Sequence, residues 1–151
     1  MAAQGAMPSD GPYVQLAAFC EKVLTEQDGV SSLIRVVDRI SPVVQTEEGQ
    51  APPPPHNLTL VVGLKSGSAR GTVQLTLRPE APSGLKLPEF SVSILLEGED
   101  RGTNVIVPLA MPTDQEGLFW FDVLVDGQLM TRIPLRVLHR RLNLGQSKAS
   151  S

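Results

Sequence analysis

Apolar and polar positions alternate with a period of two along most of this chain. In residues 70–78 Val73, Leu75 and Leu77 stand against Thr72, Gln74 and Thr76, and in 102–110 Val105, Val107 and Leu109 repeat the pattern. That period puts successive side chains on opposite faces of a strand. Segments 56–66, 70–78, 90–98, 102–110, 117–125 and 129–138 all read as strands. Their separators are turn-rich: Ser66-Gly67-Ser68, the proline-bounded 79–88, Gly98 to Gly102, 112–117 and Asp126-Gly127. Strands recurring roughly every ten residues, with no amphipathic helix between them, predict an all-β antiparallel sandwich or barrel and not parallel βαβ units.

The first third is less regular. Residues 13–20 form a compact apolar run, expected as a first strand, and 21–29 allow one short helical turn closed by Asp28-Gly29. Residues 30–44 carry Val30, Ile34, Val36, Val37, Ile40, Val43 and Val44, a β-branched content that favours a strand, bent or bulged at Pro42. The connection 45–56 turns proline-rich at 52–55, an extended, solvated spacer rather than a domain boundary. About eight strands in two packed sheets follow. The expected organisation is a disordered leader over 1–12, one sandwich domain over 13–141 and a disordered tail over 142–151.

The last hairpin permits a test of register. Phe119, Phe121, Val123 and Val125 share one face of 117–125, while Leu118, Trp120, Asp122 and Leu124 share the other. A two-residue Asp126-Gly127 loop sets Phe121 beside Arg132; a loop one residue longer sets Phe119 and Phe121 on the face of Ile133 and Leu135. The second alternative gathers the apolar side chains, so a three-residue loop with a bulge is expected. Pro134 argues for an edge position or a bulge in the last strand, since proline cannot donate to a ladder.

Gly117-Leu118-Phe119-Trp120-Phe121 resembles the strand before the last in immunoglobulin-like domains. Phe119 stands at the corner position without a hydroxyl, and Phe121 stands where a disulfide cysteine would. A closer resemblance rests on two stretches. Phe19-Cys20-Glu21-Lys22-Val23-Leu24, then Asp28-Gly29, then Ser32 to Ile40, is similar to the opening of a small bacterial single-domain family of unknown function. Residues 117–126 and Arg132-Ile133-Pro134-Leu135-Arg136-Val137 are similar to its ending. The resemblance spans roughly 13–138 and implies a compact β-sandwich with no assigned activity and no catalytic residues.

Composition narrows the function classes. The chain has 151 residues, 41% hydrophobic and 19% charged, with net charge −3, enough for one core without staples. A pI near 5.3 lacks the basic excess that phosphate binding needs, so no nucleic-acid partner is expected. No apolar run is long enough to span a bilayer, so no membrane partner is expected either. Thirteen Pro and 13 Gly against one Trp, one Tyr and four Phe agree with many short elements. The lone Cys20 allows no internal disulfide, and the N-terminus shows no secretory signal, so a cytoplasmic location is expected. The sequon Asn57-Leu58-Thr59 is then an ordinary strand start.

Candidate chemistry is sparse. His56 and His139 have no Gly-x-Ser-x-Gly nucleophile to serve. Cys20 alternates with Val14, Leu16 and Ala18, which favours a buried, inert thiol over a thiolate paired with a distant histidine. One Cys and two His cannot fill a structural zinc site. Gly63 to Gly67 is only a fragment of a phosphate loop, and Glu97-Gly98-Glu99-Asp100 lacks the acidic spacing of a calcium loop. Asp122 and Asp126 face Arg132 and Arg136, a surface ion-pair ladder rather than an acid–base dyad. The basic cluster Arg132, Arg136, His139, Arg140 and Arg141 reads as a solvated face. Neither a cofactor nor a metal is expected.

What remains is a surface. Trp120 with Leu118 and Leu124, beside Arg132, Pro134 and Arg136, forms an apolar strip framed by charge, and Trp and Arg are enriched at binding hot spots. Since both faces of 117–125 are apolar, the alternative is that this face is core and the Phe119/Phe121 face the outer one. The expectation is a non-catalytic interaction module acting through an unidentified protein partner, or self-associating through an edge strand. The alternative is a structural or assembly subunit of a phage or secretion type; an enzyme ranks last.

Overall fold

The computed structural model describes residues 10–45 and 53–142. Among them every helix or strand element is a strand: β1 (Tyr13–Thr25), β2 (Ser31–Val37), β3 (Arg39–Ile40), β4 (Val43–Gln45), β5 (His56–Lys65), β6 (Arg70–Glu80), β7 (Phe90–Glu97), β8 (Gly102–Met111), β9 (Gly117–Val125), β10 (Gln128–Val137) and β11 (Arg140–Leu142). One sheet has the order β2-β1-β5-β8 and the other β3-β10-β9-β6-β7, with β11 and β4 forming a small ribbon. The fold is an all-β sandwich. Pairing is antiparallel except for the short contacts of β3 with β10 and of β4 with β11, which are parallel.

Alternation builds the core. The four-stranded sheet turns Phe19, Leu58, Leu60, Val62, Leu64, Val107 and Met111 inward; the five-stranded sheet answers with Leu75, Leu77, Ile94, Leu96, Phe119, Phe121, Val123, Leu135 and Val137. Phe19 of β1 meets Phe121 of β9 edge to face, with ring centroids 5.0 Å apart. An aromatic pair thus ties the sheets at Phe121, the position at which the immunoglobulin resemblance suggested a missing cysteine.

The β9–β10 register sets Ile133 opposite Phe121 and Leu135 opposite Phe119, as the burial argument required. The loop, however, is the two-residue Asp126-Gly127. Both residues have positive φ, 47° and 81°, the left-handed pair that a tight hairpin uses. The additional residue sits instead inside β10, where the ladder shifts between Leu129 and Thr131.

Other expectations need correction. The first strand does not stop at Cys20 for a helical turn but runs to Thr25; the reversal is a turn in which Gly29 N donates to Glu26 O and Val30 N to Asp28 Oδ1. The single strand expected over 30–44 is three: β2 pairs with β1, β3 with β10 in the opposite sheet, and β4 with β11. The chain changes sheets here, so one run of β-branched residues serves three ladders. Arg35 has φ 57° within β2, which interrupts its pairing with β1. Arg140–Leu142, expected as domain end and tail, forms β11.

The leader expected over 1–12 ends sooner. Ser68 Oγ donates to Asp10 O, and Gly11, at φ +70°, packs so closely on the 66–67 turn that a Cβ would overlap the Ser66 carbonyl oxygen. Of the proline-rich connection, Pro53 is half-buried and Pro54 and Pro55 are exposed; the Pro54 carbonyl accepts from Thr113 Oγ1. Residues 1–9, 46–52 and 143–151, where much of the leader, spacer and tail was expected, lie outside the described residues.

Candidate interaction surfaces

A sandwich has two outer faces, and the central strands position what each displays. On the five-stranded sheet, β9 carries Leu118, Trp120, Asp122 and Leu124 outward. Trp120 lies between Pro134 of β10 and Glu80 of β6, and Asp122 between Arg132 and Arg78. The Arg132 guanidinium sits 4.8 Å above the Trp120 ring while its Nε donates to Asp122 Oδ1 at 2.6 Å. Arg78 Nε bonds Glu89 at 2.6 Å, and Lys86 bonds Glu80 at the same distance. Charge alternates Arg132, Asp122, Arg78, Glu89 across this face.

The six residues of the expected strip are distributed as follows. Trp120 and Leu118 are half-buried, while Arg132, Pro134 and Arg136 are exposed on β10. Leu124 is the exception: only 5% is accessible, because it lies between Leu129 and Thr76 on flanking strands. It is a covered position and no part of an exposed strip. The ladder reading holds for Arg132 and Asp122 but not for Asp126, whose carboxylate caps the Gln74 N–H of β6 at 2.8 Å.

The outer face of the four-stranded sheet differs in kind. Registers align Val36, Cys20, Thr59 and Pro108 in one row and Ala18, Val61 and Ile106 in the next, with Leu16, Leu24 and Ile34 on the same side. Leu16, Leu24, Ile34, Val36 and Ile106 are all exposed, Val36 at 61% and Ile106 at 40%. Lys22 lies near one end and Lys65 near the other, and among the described residues neither makes an ion pair, while Glu21, which lines a depression with Asn57, Thr59, Pro108 and Ala110, is held by Arg35 at 2.8 Å. The period-two signal concealed this face, because β1 is bulged between Val14 and Leu16. Val14 packs against the core, whereas Leu16, Ala18 and Cys20 point outward, so Cys20 does not share a face with Val14 as simple alternation suggested.

Cys20 is fully buried, and that burial pushes its thiol pKa up against a smaller lowering by the backbone hydrogen bond from Lys22. His139 Nε2 lies 2.6 Å from the Thr113 carbonyl and the His139 backbone N–H donates to Glu116 Oε1, which ties the chain after β10 to the loop before β9. Among the described residues no group of three or more His, Cys, Asp and Glu converges as a metal site, and no helix is long and apolar enough to cross a membrane.

A family model matches residues 15–138, the span that carries both sheets. The chain belongs to DUF6941, a family of unknown function. No curated protein matches it. A solved immunoglobulin-like protein from Pseudomonas aeruginosa is similar over 88% of this chain and 99% of that one, at 16% identity and a TM-score of 0.45. The alkylpurine DNA glycosylase AlkC from Pseudomonas fluorescens, solved bound to DNA containing an abasic site analog, is similar over 81% of this chain and 30% of its own, at 12% identity and a TM-score of 0.42.

Proposed function

We propose that this DUF6941 domain is a non-catalytic interaction module that docks a protein partner on the outer face of its four-stranded sheet. One observation carries the proposal: five exposed large apolar side chains, Leu16, Leu24, Ile34, Val36 and Ile106, share a sheet face on which Lys22 and Lys65 make no ion pair among the described residues. Outer sandwich faces are ordinarily polar, and a contiguous apolar surface rimmed by polar groups is the usual mark of an interface. Lys22 and Lys65 at opposite ends define the complement: a flat apolar protein surface with carboxylates along its margin. The raised Cys20 pKa and the structural tethering of His139 favour binding over catalysis.

A second reading places the partner on Trp120, because Arg132 is already held over the ring and needs no ordering on binding. Affinity purification of the full chain from cells that express it naturally separates the two. A protein retained by wild type and by Trp120→Ala, and lost from both Val36→Lys and Ile106→Lys, supports the apolar face. Loss from Trp120→Ala alone moves the site to the five-stranded sheet. Retention by all three variants rejects both.

A further inference from the structure

The edges of the two main sheets are not treated alike. Edge strands expose unpaired N–H and C=O groups that recruit other strands, and natural proteins interrupt them with proline, bulges or irregular backbone. β2 has Arg35 at φ 57°. β8 has Pro108, and Ser66 N donating to Arg101 O sets the phase of the β5–β8 ladder so that the Pro108 nitrogen faces the open side. β10 has its bulge and Pro134; Arg136 N donates away from β9 to Asp38 O, so the Pro134 nitrogen, two residues earlier, also faces the open side. Both prolines therefore remove a donor where a strand would otherwise add, which leaves the β10 edge beside Trp120 poorly suited to pairing.

β7 (Phe90–Glu97) has no such device. It pairs with β6 alone, from Leu77↔Phe90 to Arg70↔Glu97 without a register shift, and residues 90–96 contain neither proline nor charge. Its open groups can be assigned. Asp126 N donates to Gln74 O, so Gln74 presents its backbone to β9, and Val73, Leu75 and Leu77 present theirs to β7. Their partners Ile94, Val92 and Phe90 answer inward, so Ser91, Ser93 and Leu95 turn N–H and C=O outward. Phe90, on the core-facing side, is nonetheless 43% exposed, and Leu95 is 59% exposed.

We infer that a second copy of this chain pairs with β7, the two strands running antiparallel about a two-fold axis at Ser93. That register uses the backbone groups of Ser91, Ser93 and Leu95 from both copies, with Ser91 opposite the second copy's Leu95. It also sets Phe90 opposite Leu96 and Val92 opposite Ile94, so core-facing residues meet core-facing residues and Phe90 gains cover. The carboxylates at the two ends are already neutralised, Glu97 by Arg101 at 2.9 Å and Glu89 by Arg78 at 2.6 Å. A self-complementary, uncharged edge suits an identical strand better than a charged peptide. This inference is independent of the docking face proposed above.

Light scattering coupled to size exclusion, over a dilution series of the full chain, tests it. Wild type is expected at twice 16.2 kDa, with Ser93→Pro at half the wild-type mass and an unchanged far-UV circular dichroism spectrum. Proline is tolerated in the single copy because the lost N–H faces solvent there. Ser93→Lys, which opposes two like charges across the axis at an exposed position, gives the same result if Ser93→Pro fails to fold. Under mild oxidation Ser93→Cys is expected to form an intermolecular disulfide, since paired Cα atoms lie about 5.5 Å apart and disulfides span about 4.4–6.8 Å. Ser91→Cys is not, because its copies stand about 14 Å apart, four residues at about 3.4 Å each. A wild-type monomer throughout overturns the inference. So does a dimer that survives both Ser93 substitutions, or one broken only by Val36→Lys and Ile106→Lys.

Discussion

The two outer faces enclose one core and follow opposite rules. On the five-stranded sheet most charges have a near partner, Arg132 with Asp122, Arg78 with Glu89 and Lys86 with Glu80, while Arg136 makes no ion pair among the described residues, and Trp120 is capped by a guanidinium. On the four-stranded sheet the central strand β5 is buried on both sides from Leu60 to Leu64, and apolar side chains spread beyond it to exposed flanks. The first face is finished in water by its own ion pairs. The second leaves large apolar side chains in water, Val36 at 61% and Ile106 at 40%. The comparison shows that a sandwich core says little about which surface is a working one; the distribution of partners across the outside says more.

The largest expected contrast comes from placing a charge on each face. Val61→Asp puts a carboxylate at a position 1% exposed and flanked in register by Ala18 and Ile106, which offer it no partner. A cost of about 3–5 kcal/mol is expected in urea unfolding, the range for an uncompensated buried charge. Thr76→Asp, half-buried on the charged face beside Ser91, is expected to cost far less. Equal costs would erase the electrostatic distinction between the faces.

Trp120→Ala comes next. A fully buried aromatic costs about 3–5 kcal/mol on truncation to alanine. Trp120 is half-buried, with its outer side under Arg132, so a loss below that range is expected, together with tryptophan fluorescence that added quencher reaches only in part. A full buried-aromatic cost would mean that this face carries core packing and the charged finish is incidental.

Smaller still is Asp122→Ala. The pair with Arg132 is short, but the two side chains are 26% and 46% accessible, so at most about 1 kcal/mol is expected, shrinking as salt is added. A larger, salt-insensitive loss would show that the carboxylate acts mainly by holding Arg132 on the indole.

Legibility in the sequence followed the range of the interactions. The β9–β10 register was readable, because a tight hairpin couples neighbouring residues and burial favours one phase of alternation, whereas both faces of 117–125 are apolar and the sequence left open which of them is core. The position of the bulge was not readable: an inserted residue satisfies the same phase in the loop or in the strand. Residues 30–44 were misread as one strand because β-branched content reports strand propensity and carries nothing about which sheet receives it. The apolar outer face was missed for a related reason. Cys20, Val61 and Ile106 are far apart in the chain and become neighbours only through pairings across three strands, while the β1 bulge reverses the phase that would have hinted at it.

The smallest expected effect separates surface from scaffold. Ile106 is 40% exposed on the edge strand β8, opposite Val61. If the apolar face exists to stabilise the single copy, Ile106→Lys should cost more than about 1 kcal/mol, since a buried branched side chain contributes about 1.5–3 kcal/mol. Lysine at an exposed edge position keeps its stem on neighbouring apolar surface and its ammonium in water, so a change within about 0.5 kcal/mol is expected instead. Urea unfolding of wild type and variant at equal concentration distinguishes the two. A near-neutral result leaves the fold no use for isoleucine there, and the side chain then belongs to a contact outside the molecule. A large loss assigns the face to the core's own stability and removes the ground for the docking proposal.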